Sequence, residues 1–165
     1  MNFVEDFRVP LWLFNGHLQT IWPATVGKKH ILREVRPSYL REKWKTPDND
    51  FIEIDFNRNF YKERNPIVVL FHGLEGSSSS YYSLAFYQAC KELKFSLSIP
   101  HFRGCSGPVN KLPRSYHAGD SEEINWILEK YSEICAKQNR ELYVFGISLG
   151  GNALLHWAGT YVSNS

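Results

Sequence analysis

The feature that most constrains this chain is a serine between two glycines, Gly146, Ser148 and Gly150, which separates a strand-like run from a helix-like run. Residues 142–145 are apolar and β-type, and residues 152–158 have helical composition. A serine on such a sharp strand-to-helix turn exposes its hydroxyl above the end of a sheet, as a nucleophile requires. Glycines on either side let the strand and the helix approach closely. The motif therefore predicts Ser148 as a nucleophile, and a glycine-rich turn with an incidental serine is the alternative.

The loop of residues 72–80 is the second candidate portion of this site. It follows residues 66–71, an apolar run that predicts a strand buried on both faces, as in a parallel sheet covered by helices. An acyl-transfer enzyme needs two N–H groups directed at the oxyanion, and one normally comes from the loop after this strand. We therefore predict the backbone N–H groups of Leu74 and Leu149 as oxyanion donors, and interpret His72 as a loop residue bonded to backbone. The phosphate-loop spacing G-x-x-x-x-G-K-[ST] is absent, and a glycine-rich linker is the remaining alternative.

The elements before the serine motif alternate between strand-like and helix-like segments. Such alternation indicates an α/β fold with a mostly parallel sheet and helices on both faces. A possible cap at residues 119–121, followed by acids, marks the start of one helix. The predicted strands are residues 51–56, 66–71, 95–100 and 142–145, and the predicted helices are residues 81–94 and 121–131.

The N-terminal region has weaker periodicity. Residues 10–23 are rich in aromatics and bracketed by prolines, with a helical turn predicted at residues 17–21. We interpret them as an arm that packs over the domain, either over a substrate cleft or against the outside of the sheet. Residues 30–36 are a weaker strand prediction, expected to pair antiparallel with residues 51–56 after a turn at residues 45–50.

Composition and charge exclude several classes of function. With 43% hydrophobic and 22% charged residues, the chain is expected to be one soluble globular domain or a portion of one. The net charge of +2 comes from scattered basic residues, so no nucleic-acid partner is expected. No stretch approaches the ~18 consecutive apolar residues of a membrane span, and no secretory pattern opens the sequence, so a cytoplasmic location is expected. The 3 cysteines form no C-x-x-C pair, which indicates reduced thiols rather than disulfides or a zinc site.

Five blocks of the sequence stand out: residues 12–23 with Asn-Gly-His-Leu-Gln-Thr at 15–20, the loop at 72–78, residues 101–107, residues 112–119, and residues 146–154 around the serine motif. Together they resemble the YheT-like branch of the α/β-hydrolases. The resemblance implies an α/β-hydrolase fold and a carboxylic-ester hydrolase with a Ser-Asp-His triad. It also implies no metal, no organic cofactor, and acyl or lipid-like esters as the substrate class.

The triad of this fold follows the order Ser, then Asp or Glu, then His. The residues after Ser148 contain no Asp or Glu and one histidine, His156. Eight positions along a helix, His156 would lie about 12 Å of helical rise from Ser148, far beyond the ~2.6–3.2 Å of a general base. The other histidines outside the loop after residue 71 are interpreted as structural: His17, His30, His101 and His117.

The sequence therefore predicts the N-terminal portion of a serine hydrolase. Residues 1–29 are assigned to the arm and residues 30–165 to an α/β-hydrolase domain truncated after the nucleophile helix. The expected substrate is a small ester, and the open edge of strand 142–145 predicts a complementing chain or self-association. Two hypotheses stay open: an esterase completed by a missing segment, and a catalytically inactive remnant or interaction module on the same scaffold. Acyl transfer to an alcohol instead of water is a third.

Overall fold

The structure is a computed structural model that describes residues 8–61 and 64–162. Within these ranges the chain forms a five-stranded sheet and five α-helices. The strands are β1 (Tyr39–Lys45), β2 (Phe51–Asn57), β3 (Ile67–Phe71), β4 (Ser96–Pro100) and β5 (Leu142–Gly146). The helices are α1 (Gly16–Trp22), α2 (Lys28–Val35), α3 (Tyr81–Glu92), α4 (Ser121–Gln138) and α5 (Leu149–Trp157), with π-helical turns at Pro23–Gly27 and Ala158–Val162.

The sheet has the strand order β1-β2-β4-β3-β5. β3 pairs in parallel with both β4 and β5, whereas β2 pairs antiparallel with β1 and with β4. α3 connects β3 to β4, and α4 connects β4 to β5, so both connections are helical crossovers between parallel strands. The predicted α/β fold is therefore confirmed, with an antiparallel hairpin added at one edge of the parallel strands.

Apolar side chains of the sheet pack against helices on both faces. On one face, α4 and α5 cover a core that includes Phe56 and Tyr131. On the other face, α3 covers a smaller core that includes Leu70 and Leu97. Every residue of β3 and β4 is buried. This burial confirms the prediction that residues 66–71 form a strand between two helical layers.

The predicted strand at residues 30–36 is wrong, because this segment belongs to helix α2. The antiparallel partner of β2 is β1, in which Arg41 lies opposite Asp55. β1 is an edge strand with charged side chains at exposed positions, so it lacks the apolar alternation by which a half-buried strand is found. The turn at residues 45–50 is confirmed and joins β1 to β2. β2 itself is confirmed, but its acidic positions are buried rather than solvent-facing.

The predicted helices at residues 81–94 and 121–131 are confirmed as α3 and α4. Asp120 is the N-cap of α4, and its side chain accepts a hydrogen bond from the N–H of Glu123. Acidic residues in the first turn stabilise the N-terminus of this helix, because they lie at the positive end of the helix dipole. α4 continues beyond residue 131 to Gln138 and ends at Asn139, which has φ 52°.

The N-terminal region is helical from Gly16 to Val35, where the sequence predicts one helical turn in an otherwise irregular arm. No residue of α1 is buried against the described residues, and α2 contacts α3. The arm is thus placed on the α3 side of the sheet. Residues 1–7 of the predicted arm lie outside the described residues, and the boundary between residues 29 and 30 stays a prediction.

Candidate active site

Ser148 lies on a sharp turn between β5 and α5. It is exposed, and its backbone has φ 53° and ψ −114°, a conformation that residues with a Cβ rarely adopt. Such a backbone costs of order 1–3 kcal/mol and persists only where the surrounding structure fixes it. The N–H of Asn152 donates to the carbonyl oxygen of Ser148 at 3.0 Å. The hydroxyl therefore lies at the N-terminus of α5, where free N–H groups favour negative charge.

Close backbone contacts exclude side chains at Gly146 and Gly150. A Cβ at Gly146 would lie 2.6 Å from the carbonyl oxygen of Gly150. A Cβ at Gly150 would lie 2.5 Å from the carbonyl oxygens of both Phe71 and His72. Because the blocking atoms belong to the backbone, no side-chain movement relieves these contacts. The two glycines therefore allow β3, β5 and α5 to meet next to Ser148.

The loop after β3 lies against this turn. A Cβ at Gly73 would lie 3.4 Å from the Cβ of Ser148. The N–H of Gly73 donates to the Oη of Tyr82 at 3.0 Å, and the N–H of Glu75 donates to the Oη of Tyr116 at 3.0 Å. Two tyrosine hydroxyls thus accept hydrogen bonds from the backbone N–H groups of the residues before and after Leu74.

The N–H groups of Leu74 and Leu149, the predicted oxyanion donors, donate no hydrogen bond to any residue that the structure describes. Leu74 lies between two residues whose N–H groups both have acceptors. Leu149 is the first residue of α5, where N–H groups have no acceptor within the helix. Both N–H groups therefore lack an acceptor among the described residues, as the predicted oxyanion donors require.

His72 is buried and bonded to backbone on both ring nitrogens. Its Nε2 accepts from the N–H of Phe102 at 3.1 Å, so its Nδ1 carries the proton and donates to the carbonyl oxygen of Gly73 at 2.8 Å. Burial lowers the pKa of His72 to about 4. The interpretation of His72 as a loop residue bonded to backbone is confirmed. It holds the loop after β3 against the segment after β4.

We expect the free energy of unfolding to fall between about pH 6.5 and about pH 4 because of His72. The unfolded chain takes up a proton on His72 near pH 6.5, whereas the folded protein takes it up only near pH 4. Above this pH window the neutral His72 ring makes its full contribution to the free energy of unfolding, and this contribution is lost as the pH falls through the window. Urea unfolding across the window, on wild type and on His72→Gln, measures the effect. The variant should lose less stability over the same interval, and equal losses would contradict the assignment.

Asp55 of β2 connects three segments around the site. Its carboxylate accepts hydrogen bonds from Arg41 at 2.7 and 2.6 Å, from the hydroxyl of Ser78 at 2.5 Å, and from Nε2 of His101 at 3.0 Å. Burial raises the pKa of Asp55, but the bonds from Arg41, His101 and Ser78 outweigh burial and hold the pKa well below its usual value. Asp55 therefore ties the loop after β3 to β1 and to the end of β4.

Arg103 anchors the long connection between β4 and α4. Its side chain is buried, with Nε donating to Glu123 at 2.6 Å and Nη1 donating to Asp48 at 2.7 Å. Burial lowers the pKa of Arg103, but the bonds to Asp48 and Glu123 outweigh it and leave the pKa raised. The guanidinium therefore joins the β1–β2 turn to the first turn of α4.

Further hydrogen bonds fix the same connection along its length. The carboxylate of Asp50 accepts from the backbone N–H groups of Lys111 and Leu112 at 3.0 and 3.1 Å. Near its end, the side-chain amide of Asn152 in α5 donates to the carbonyl oxygen of Ala118 at 2.9 Å. These bonds hold a connection without helix or strand close to the turn of Ser148.

Among the described residues, no hydrogen bond joins the side chain of Ser148 to a histidine. His101 is paired with Asp55, as stated above. His156 lies near the end of α5 and is exposed, two turns beyond Ser148 as predicted. The others lie elsewhere: His17 is exposed in α1, His30 is 3.5 Å from Glu34 in α2, and His117 accepts from the N–H of Gly119 at 3.2 Å.

The strand order and the serine turn match a known family. A family model described as the alpha/beta hydrolase fold matches residues 66–165, which is more than half of the chain. The chain belongs to the α/β-hydrolase family. Its matched region begins just before β3 and includes α3, β4, α4, β5 and the turn of Ser148.

Two relatives of this α/β hydrolase match most of its length. YheT of Escherichia coli (strain K12), which is named as a candidate esterase, is 33% identical over 141 residues, covering 85% of this chain and 39% of YheT. An abhydrolase domain-containing protein of Dictyostelium discoideum is 28% identical over 153 residues, covering 92% of this chain and 38% of that protein. The resemblance to the YheT-like branch is thereby confirmed. The chain spans about two fifths of the length of either relative.

A solved structure shares the fold of this α/β hydrolase. The esterase of Pyrobaculum calidifontis superposes with a TM-score of 0.57 at 17% identity, covering 93% of this chain and 50% of that chain. In the described portion of the α/β hydrolase, no helix is long and apolar enough to cross a membrane. Nor do the described side chains include a group of three or more His, Cys, Asp or Glu placed to hold a metal ion.

Sequence reasoning missed four residues that hold the site: Tyr82, Tyr116, Asp55 and Arg103. A usable signal existed for Asp55, because a second acid in an otherwise apolar strand suggests a buried partner. The hydroxyls of Tyr82 and Tyr116 carry no such signal, since each tyrosine also fits an apolar packing position.

Proposed function

We propose that this α/β hydrolase cleaves carboxylic esters of the acyl or lipid-like class, with Ser148 as the nucleophile. The observation that supports the proposal is an exposed serine at positive φ, next to a turn and a loop in which the N–H groups of Leu149 and Leu74 have no acceptor among the described residues. Ser148 Oγ would attack the ester carbonyl carbon, and the two N–H groups would stabilise the oxygen that becomes negative. A general base takes the proton of the Ser148 hydroxyl and gives it to the leaving oxygen, which departs as the alcohol. Water then loses a proton to the same base and attacks the acyl-enzyme, which releases the acid and returns the proton to the serine.

A general base and its orienting acid are needed to complete this chemistry. We propose that both come from residues outside these 165, on a continuation of the chain or on a separate chain. The length of YheT supports this proposal, since the match covers only 39% of it. Without the base and acid, turnover is expected to be low, because loss of triad members costs about 10⁶-fold in kcat in a serine protease. The alternative is a catalytically inactive scaffold that serves as an interaction module.

The outer edge of β5 is where we propose that a complementing chain adds a strand. Among the described residues β5 pairs only with β3, and Tyr143 and Phe145 are 42% and 43% exposed. An open strand edge readily pairs with another strand. If no complementing chain is present, we expect a second copy of this chain to pair with β5 instead. Size-exclusion chromatography at rising concentration tests self-association, and a monomer throughout would contradict it. A small ester remains the proposed ligand, and the cytoplasm remains the proposed location.

A fluorophosphonate probe tests the proposed nucleophile directly, because it phosphonylates activated serines. We expect labelling that Ser148→Ala abolishes and that Ser115→Ala, at another exposed serine, leaves unchanged. Labelling should be slow but measurable, since an oxyanion hole without its triad retains about 10³–10⁴-fold catalysis over water. Intact mass spectrometry gives the labelled fraction, and circular dichroism shows that each sample is folded. A folded sample that stays unlabelled would overturn the proposal and favour the inactive scaffold.

A further inference from the structure

Two tyrosine hydroxyls hold the short loop that carries Leu74. Tyr82 Oη accepts the N–H of Gly73, and Tyr116 Oη accepts the N–H of Glu75, each at 3.0 Å. Leu74 lies between these two occupied positions, and its own N–H has no acceptor among the described residues. Hydrogen bonds therefore hold the loop on both sides of the Leu74 N–H group, which itself has no acceptor among the described residues.

Tyr116 makes a closed pair of hydrogen bonds with Glu75. Its Oη accepts the backbone N–H at 3.0 Å and donates to Oε1 of the same residue at 3.1 Å. Glu75 has φ 51°, a left-handed conformation that costs roughly 1–2 kcal/mol for a residue with a Cβ. These two bonds hold Glu75 in that conformation together with a turn bond, in which the N–H of Gly76 donates to the carbonyl oxygen of Gly73 at 2.9 Å. The ring of Tyr116 is itself fixed by stacking on Phe102, at 5.2 Å between centroids and 9° between planes.

We infer that Tyr116 is a positioning residue for the oxyanion donor Leu74. Its hydroxyl fixes the backbone at Glu75, and the preceding peptide group is then held so that the Leu74 N–H stays open beside Ser148. Without the hydroxyl, the Glu75 N–H loses its acceptor and only the turn bond from Gly76 to Gly73 still holds its φ, so the loop reorients more easily. The inference rests on the proposed function, because only an acyl-transfer site uses this N–H group. Loss of one oxyanion donor costs about 10²–10³-fold in kcat.

Tyr116→Phe tests the inference, because it keeps the ring on Phe102 and removes only the hydroxyl. Amide hydrogen exchange, followed residue by residue with NMR, measures the loop without any need for activity. We expect the exchange of the Glu75 amide to rise roughly tenfold, since its hydrogen bond is lost. The matched control is Tyr87→Phe, which removes a hydroxyl that accepts the N–H of Ser38 at 3.2 Å. This control should leave exchange in the loop unchanged.

The second readout is the rate of fluorophosphonate labelling, which should fall at least about tenfold in Tyr116→Phe and stay unchanged in Tyr87→Phe. Unchanged exchange at Glu75 would overturn the inference, and so would faster exchange with an unchanged labelling rate. If the wild type is not labelled, the proposed function fails, and the exchange alone decides whether Tyr116 holds the loop. Should Tyr116→Phe fail to fold, Glu75→Ala removes the carboxylate that accepts from Tyr116 and tests that bond alone, because the backbone bond does not need the side chain. The amide at position 75 should again exchange faster, and exchange as slow as in the wild type would overturn the inference.

Discussion

Replacing Arg103 by methionine is expected to lower the free energy of unfolding by about 3–5 kcal/mol. The side chains of Arg103 and Glu123 are each 2% exposed, and their closest nitrogen and oxygen atoms are 2.6 Å apart. The same guanidinium lies 2.7 Å from Asp48 and 3.5 Å from Asp50. Methionine leaves the buried carboxylates of Glu123 and Asp50 without this cation where water cannot replace it, whereas Asp48 is 32% exposed and can be hydrated. Burial already raises the pKa of Glu123 with the guanidinium present.

The matched control is Lys137→Met, which removes a cation 3.8 Å from Glu133 on the surface of α4. Both side chains of this pair are more than two thirds exposed, so the expected loss is below about 1 kcal/mol. Urea unfolding curves with unchanged slopes provide both values. Adding Glu123→Gln to Arg103→Met should recover a portion of the lost stability, because it removes one uncompensated charge. Equal losses in the two single variants would contradict the role assigned to burial.

Replacing Gly150 by alanine is expected to slow fluorophosphonate labelling of Ser148 about 100-fold. The new Cβ would lie 2.5 Å from the carbonyl oxygens of Phe71 and His72, and real Cβ atoms essentially never come within 3.0 Å of another heavy atom. α5 must therefore shift away from β3, and the N–H of Leu149 shifts with it. A displacement of about 1 Å at a reacting centre is sufficient for an effect of this size. The melting temperature should fall as well, because overpacking costs about 1–3 kcal/mol.

Gly159→Ala is the control for this experiment. A Cβ at Gly159 would meet no described atom within 4 Å, so labelling should match the wild type and the melting temperature should not fall. The rate constant for labelling, followed by intact mass spectrometry, gives the comparison. A Gly150→Ala protein that labels and melts like the wild type would show that the turn accepts a side chain.

Most of the parallel portion of the fold is predictable from local sequence signals. β3 is a short apolar run, β4 alternates Leu97 and Ile99 with serines, and α4 begins at an Asp cap with acids in its first turn. These signals depend on residues that are neighbours in the sequence, so they are visible without the structure. The turn of Ser148 is equally local, because two glycines and a serine at fixed spacing define it.

The hairpin and the polar contacts are determined by partners far apart in the sequence. β1 carries charged residues along much of its length. It pairs with β2, where Arg41 lies opposite Asp55 and donates a hydrogen bond to its carboxylate. Likewise, the loop beside Ser148 is held by Tyr116, which lies on a different connection from Glu75. Neither the periodicity of apolar residues nor a helix-capping residue predicts contacts between residues so far apart in the sequence. The candidate nucleophile can therefore be proposed from sequence, whereas the side chains that shape its surroundings cannot.

The order of strands in the sheet has a consequence for how the protein folds. β5 pairs with β3 across most of the matched region, with Leu142 opposite Ile67, and β4 lies on the other side of β3. Pairing of strands so distant in sequence is slow, because the long intervening loop must close before contacts repay its entropy. We expect β3 and β4 to associate early and β5 to dock late. Chemical reactivity at position 148 would then appear only at the end of folding, and its onset would report when the native sheet is complete.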